Sequence, residues 1–169
     1  MRPFFFSLTS TLYAIRSALY AVSMPPKEFE ALVAEAFVLV PEKFRGKVKN
    51  LALLVEDEPS EEARREHNLS HADTLLGLYR GVPQTERGEG YGVGPTIPDS
   101  ITLYRMPILH TAARESGVEV EWGPPTEPMK RRIRAIIRDT VWHEIAHYFG
   151  MDEWAVEARE EEGTNQYKG

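Results

Sequence analysis

The sequence predicts an α+β domain. Three observations point there: three short apolar runs of strand character fill the middle of the chain, an amphipathic helix precedes them, and a long amphipathic helix follows. No regular crossover helices separate the strands, so a doubly wound parallel sheet is not expected. At 169 residues the chain has the length of one domain.

The elements follow in order. Residues 1–23, MRPFFFSLTSTLYAIRSALYAVS, carry two arginines, no acid and many aromatic and small residues. They are set apart as an N-terminal extension, which could be disordered, a targeting segment, an over-read of the true start or a docked helix. Arg16 interrupts the apolar run, so no stable membrane insertion is expected. From Met24 to Gly169 a single domain is expected. After Pro25 and Pro26, the residues Phe29, Leu32, Val33 and Ala36 recur at helical spacing, and Pro41 marks the end of that helix. KVKNLALLVED is the first strand, EDEPSEEARREHN a charged connection with room for a short helix, and DTLLGLYRGV the second strand. PQTERGEGYGVGPTIPD is rich in Gly and Pro and reads as a loop, with a rim or lid as its functional alternative. SITLYR is the third strand, a candidate exposed edge for pairing with an extended peptide. MPILHTAARES is a short helix and VEVEWGPPTEP irregular. One long helix runs from Met129 to Phe149, stopped by Gly150, and the tail WAVEAREEEGTNQYKG starts helical.

Composition narrows the chemistry. The net charge of −6 gives no global signature of a nucleic-acid binder, and the arginines of KRRIRAIIR form a solvent-side stripe with many acids to pair with. The chain has no cysteine, so disulfides and thiolate metal sites are excluded. A cytoplasmic location is compatible with that. GEGYGVG lacks the GK[ST] of a phosphate loop and is followed by a strand. HNLSH, residues 67–71, spaces two histidines by four but has no glutamate between them and lies in a polar connection.

The informative stretch is TVWHEIAHYFGMDE, residues 140–153. At about 100° per residue, Ile133, Ile136, Ile137, Thr140, Val141, His143, Glu144, His147 and Tyr148 share one face, and Arg131, Arg134 and Arg138 another. His143 and His147 stand one turn apart, as two imidazoles must to share one metal ion. Glu144 falls on the apolar face, where an unpartnered carboxylate is costly, and a metal-bound water would supply its partner. Gly150 can end the helix in a reversal that brings the following acids back toward the histidines. A catalytic metal on two histidines needs a third protein ligand and keeps one position open. Spacing favours Glu153, with Asp152 and Glu157 as alternatives. Asp139, four residues before His143, is read chiefly as a surface partner of an arginine, with a hydrogen bond to an imidazole as the alternative. Tyr91, Tyr104 and His110 are available as oxyanion partners, although packing or surface roles are commoner for such residues.

HEIAHYFGMDE resembles the zinc site of the zincin metallopeptidases. More closely, EFEALVAEAFVLVPEKFRGKVKNLALLVEDEP, LLGLYRGVP, IPDSITLYRMPI and TVWHEIAHYFGMDE are similar, in that order, to segments of the small bacterial minimal-zincin family of zincin-like metallopeptidases. The resemblance runs from about Lys27 to Glu153 and leaves the N-terminal extension outside it. It implies a minimal zincin-like domain: a short mixed sheet packed against an active-site HExxH helix. It also implies a Zn2+ hydrolase of peptide or protein substrates. The family often carries Asp at the position of Glu153. The expected assignment is His143, His147 and Glu153 on Zn2+, with Glu144 as general base. The alternative is a zinc-binding regulatory or interaction module without turnover, against which the presence of Glu144 argues.

Overall fold

A computed structural model describes residues 22–70, 73–88, 91, 97–116 and 123–161. Helix α1 spans Pro26–Leu39 and α2 Glu42–Arg45, followed by strand β1 at Leu51–Glu56 and α3 at Glu61–Glu66. Strand β2 covers Gly77–Arg80 and β3 Asp99–Tyr104, then come α4 at Arg105–Glu115, α5 at Glu127–Tyr148 and α6 at Glu153–Glu161. The class is α+β, as expected.

Each helix forms where its sequence favours it. A proline in the first turn opens both α1 and α5, where a missing N–H is harmless and the fixed φ is already helical. Glu127 adds a negative charge at the positive end of the α5 dipole. Ser60 caps α3 by accepting a hydrogen bond from the Ala63 amide at 3.2 Å. The buried face of α1 is Phe29, Leu32, Val33 and Ala36, the four residues its periodicity singled out. On α5 the buried face holds all nine residues named above, while Arg131 and Arg134 are exposed. Arg138 is half-buried and pairs with Asp139 at 2.8 Å.

The sheet is mixed, in the order β1-β3-β2. β1 runs parallel to β3, with Leu53 opposite Ile101, and β2 runs antiparallel, with Tyr79 opposite Ile101 on the other side. SITLYR is thus an ordinary strand and not the exposed edge offered as its alternative: β3 is the central strand, and β1 and β2 are the edges. Both of its faces are covered. Ile101 and Leu103 join the main core with α1, α4 and α5, whereas Tyr104 packs in a second cluster with Ala63, Leu75 and Leu78. Alternation along a strand identifies its two faces, but it carries no information about strand order. Ile133, Ile137, Val141, Ile145 and Tyr148 of α5 are fully buried. Each contributes roughly 1.5–3 kcal/mol, so the site helix is also the spine of the core.

Residues 1–21, most of the expected N-terminal extension, lie outside the described residues. Val22 is buried, bridges Gly123, and is followed by a Ser23 amide that donates to the Gly123 carbonyl at 3.0 Å. Packing against the core thus begins by Val22, two residues before Met24. Most of GEGYGVG, the lid candidate, also lies outside the described residues, as does His71 of HNLSH. Among the described residues, no helix is long and apolar enough to cross a membrane.

Candidate metal centre

The site is built around the end of α5. Gly150 has φ of +88°, a conformation that L side chains rarely adopt. Its amide donates to the His147 carbonyl at 2.9 Å, and the Met151 amide donates to the Ala146 carbonyl at 3.1 Å. This is the Schellman pattern, and it reverses the chain within three residues. A side chain at position 150 would also collide with Thr85, whose Oγ1 lies 2.0 Å from where a Cβ would stand.

The reversal does two things. It sets the Met151 carbonyl 2.9 Å from His147 Nδ1, so that nitrogen carries the hydrogen and Nε2 presents a lone pair to the site. It also starts α6 beside the histidines. Asp152 caps α6, its Oδ1 accepting from the Ala155 amide at 2.9 Å, and is exposed to solvent. Glu153, the first residue of the helix, turns inward.

His143, His147 and Glu153 are brought together as one group that could hold a metal ion. The two Nε2 atoms stand 3.1 Å apart. Glu153 Oε1 lies 3.4 Å from His143 Nε2, and Oε2 lies 3.3 Å from His147 Nε2. Both carboxylate oxygens are buried without a hydrogen-bond partner of good geometry. Ligands about 2.0–2.1 Å from a tetrahedral zinc would stand about 3.3 Å from one another, so the donor set fits Zn2+ in chemistry and in spacing. Of the three acids considered, Glu153 joins the histidines, whereas Asp152 caps α6 and Glu157 is exposed.

The electrostatics couple Glu153 to the two histidines. Burial pushes the Glu153 carboxyl up, but contact with the His143 and His147 imidazoles outweighs it and holds the group at about 2. Burial pushes the His147 imidazole down, and Glu153 together with the Glu144 charge carries it above the ordinary value. Glu144 is buried, with 4% exposure. Burial raises its proton affinity, against the opposing effects of both imidazoles and of a backbone hydrogen bond. That bond comes from the Tyr79 amide on β2, which donates to Glu144 Oε2 at 2.8 Å. The partner that a buried carboxylate requires is therefore, in part, an edge-strand amide, which side-chain identities in the sequence could not reveal.

A second polar cluster flanks the group. Asp99, at the start of β3, is buried and accepts hydrogen bonds from Tyr79 Oη at 2.8 Å, from Tyr91 Oη at 3.0 Å and from the Arg87 guanidinium. Arg87 also donates to Tyr148 Oη at 3.2 Å and to the Val82 carbonyl at 2.8 Å, and it lies against the Tyr91 and Tyr148 rings. Tyr148 in turn donates to the Lys49 carbonyl at 3.1 Å. Sequence reading passed over Arg87 and Asp99, and the only available signal was charge inside a Gly- and Pro-rich stretch. Of the proposed oxyanion partners, Tyr91 is engaged with Asp99, Tyr104 is packed in the second cluster, and His110 is half-buried on α4, where burial lowers its pKa. Asp139 is an exposed partner of Arg138.

No curated protein gives a significant match to the chain. A family model described as zincin-like metallopeptidase matches residues 48–123 and 125–163. The matched region contains all three strands, the paired histidines, Glu144 and Glu153, and it covers well over half of the chain. The chain belongs to the zincin-like metallopeptidase family.

Proposed function

We propose that this protein is a zinc-dependent peptidase in which His143, His147 and Glu153 hold Zn2+ and Glu144 is the general base. One observation carries the reading: a buried glutamate that accepts a fixed backbone hydrogen bond stands beside three converging lone-pair donors. A structural zinc site closes all four positions with protein and has no use for such a base.

The chain's residues divide the work. His147 is oriented by the Met151 carbonyl, and Glu153 by its place at the start of α6. Zn2+, when held there, supplies a Lewis acid that makes water acidic near neutral pH and polarises a carbonyl. Glu144 accepts the proton of the attacking water and delivers it to the leaving amine, with burial raising its proton affinity for the task. The Tyr79 amide keeps one of its oxygens in place. Peptides or proteins with a flexible segment are the proposed substrates.

Digestion of a fluorogenic peptide library tests this, with Glu144→Gln as the control. The expected result is cleavage by wild type and a loss of about a thousandfold in the variant. Cleavage that survives the substitution contradicts the mechanism. Full zinc loading with no cleavage of any peptide points instead to a non-catalytic zinc module.

A further inference from the structure

Residues 77–81, GLYRG, lie between the two carboxylates described above. We propose that this segment is a positioning device for the reaction, one that seats Glu144 through the Tyr79 amide; the proposal rests on the peptidase reading. The two glycines let the strand lie close against Thr140 and Glu144 at one end and against Asp99 at the other. A Cβ at Gly77 would stand 2.6 Å from Thr140 Cγ2, 3.0 Å from Glu144 Oε1 and 3.1 Å from Glu144 Cγ. A Cβ at Gly81 would stand 2.3 Å from Asp99 Cγ. Real Cβ atoms essentially never come within 3.0 Å of another atom, so a side chain at position 77 forces the strand away from Thr140 and crowds Glu144, and one at position 81 forces it away from Asp99.

Tyr79, midway between them, binds both. Its backbone amide donates to Glu144 and its hydroxyl to Asp99. β2 is an edge strand whose inner side pairs with β3, and the Tyr79 N–H points the other way, toward α5. The carboxylate thus takes a strand-edge hydrogen bond that would otherwise go to water or to a partner strand. The hydroxyl fixes the height of that amide, because Asp99 is itself held by Arg87 and Tyr91. None of these atoms belongs to the metal-holding group. The segment therefore sets where the base stands, whereas α5 and α6 set where the metal stands.

The test is amide hydrogen exchange on 15N-labelled, Zn2+-saturated protein, comparing wild type with Glu144→Ala and Gly77→Ala. The Tyr79 amide should lose protection about tenfold or more in both variants, while the Leu78 amide, on the side of the strand facing β3, changes little. Unchanged Tyr79 protection in Glu144→Ala overturns the proposal, and that arm needs neither turnover nor tolerance of a new side chain at position 77. On the fastest-cleaved library peptide, Gly77→Ala should lower kcat about a hundredfold with KM and zinc content unchanged. Adding Thr140→Ser, which removes the methyl group in the way, should restore part of kcat. Unchanged kcat in Gly77→Ala, or a fall matched by loss of zinc, also overturns the proposal. A wild type that cleaves nothing defeats the peptidase reading instead, and the exchange result still decides whether the strand holds Glu144.

Discussion

Two regions meet at the site, and they are built in opposite ways. The candidate metal-holding group, His143, His147 and Glu153, comes from eleven consecutive residues through one helix, one reversal and the start of the next helix. The Glu144 seat and its support come from Tyr79, Arg87 and Asp99, which are distant from α5 in sequence and meet it only after the sheet has formed. The first region is specified by local geometry. The second is specified by tertiary packing, and its key donor is a backbone amide.

That difference explains what could be read beforehand. A spacing of four on a helix fixes two imidazoles on one face, and a glycine three residues later predicts the reversal, so the sequence by itself favours Glu153 as their partner. The helix faces of α1 and α5 were legible for the same reason. Strand order was not, because alternation of apolar residues says nothing about neighbours, and so the sequence leaves both an ordinary strand and an edge open for β3. Asp99 looked like the end of a loop because nothing in GPTIPD signals burial. Nothing in LLGLYRGV marks its two glycines as the places where the strand lies against Thr140 and Glu144 on one side and Asp99 on the other.

The largest effect should come from breaking the non-local region. Arg87→Ala leaves the buried Asp99 without its cation and should cost about 3–5 kcal/mol in urea unfolding, with zinc binding of the folded protein retained. Loss of zinc at full fold would show that the two regions are not separable.

Next comes the local region. Gly150→Ala imposes a left-handed backbone on a side chain that also meets Thr85. It should cost about 2–3 kcal/mol and weaken zinc binding, because Glu153 depends on the reversal. Adding Thr85→Gly relieves the collision but not the backbone cost, so recovery should be partial. Full recovery would show that the backbone conformation contributes nothing.

A smaller effect separates the neighbouring acids. Asp152→Ala removes the α6 cap and should cost about 1 kcal/mol, with zinc content unchanged.

The mildest prediction concerns pH and the far side of the sheet. Burial, with the charges of Glu56, Glu144 and Glu66, pushes the Tyr104 phenol up to about 12. The folded state therefore holds this proton more tightly than the unfolded chain, whose tyrosines titrate near 10. The resulting stability is present in full below pH 10 and is lost as pH rises through about 12. Urea midpoints measured from pH 9 to 12 should fall less steeply for Tyr104→Phe than for wild type. Equal slopes would remove Tyr104 from the account.

The most direct test of the central claim, that a contiguous stretch builds a zinc site, is zinc content per chain by elemental analysis. Wild type challenged with zinc should hold about one ion. His147→Ala should hold none, Glu153→Ala much less than wild type, and Asp152→Ala as much as wild type. A wild type that binds no zinc, or a Glu153→Ala variant as fully loaded as wild type, would contradict it.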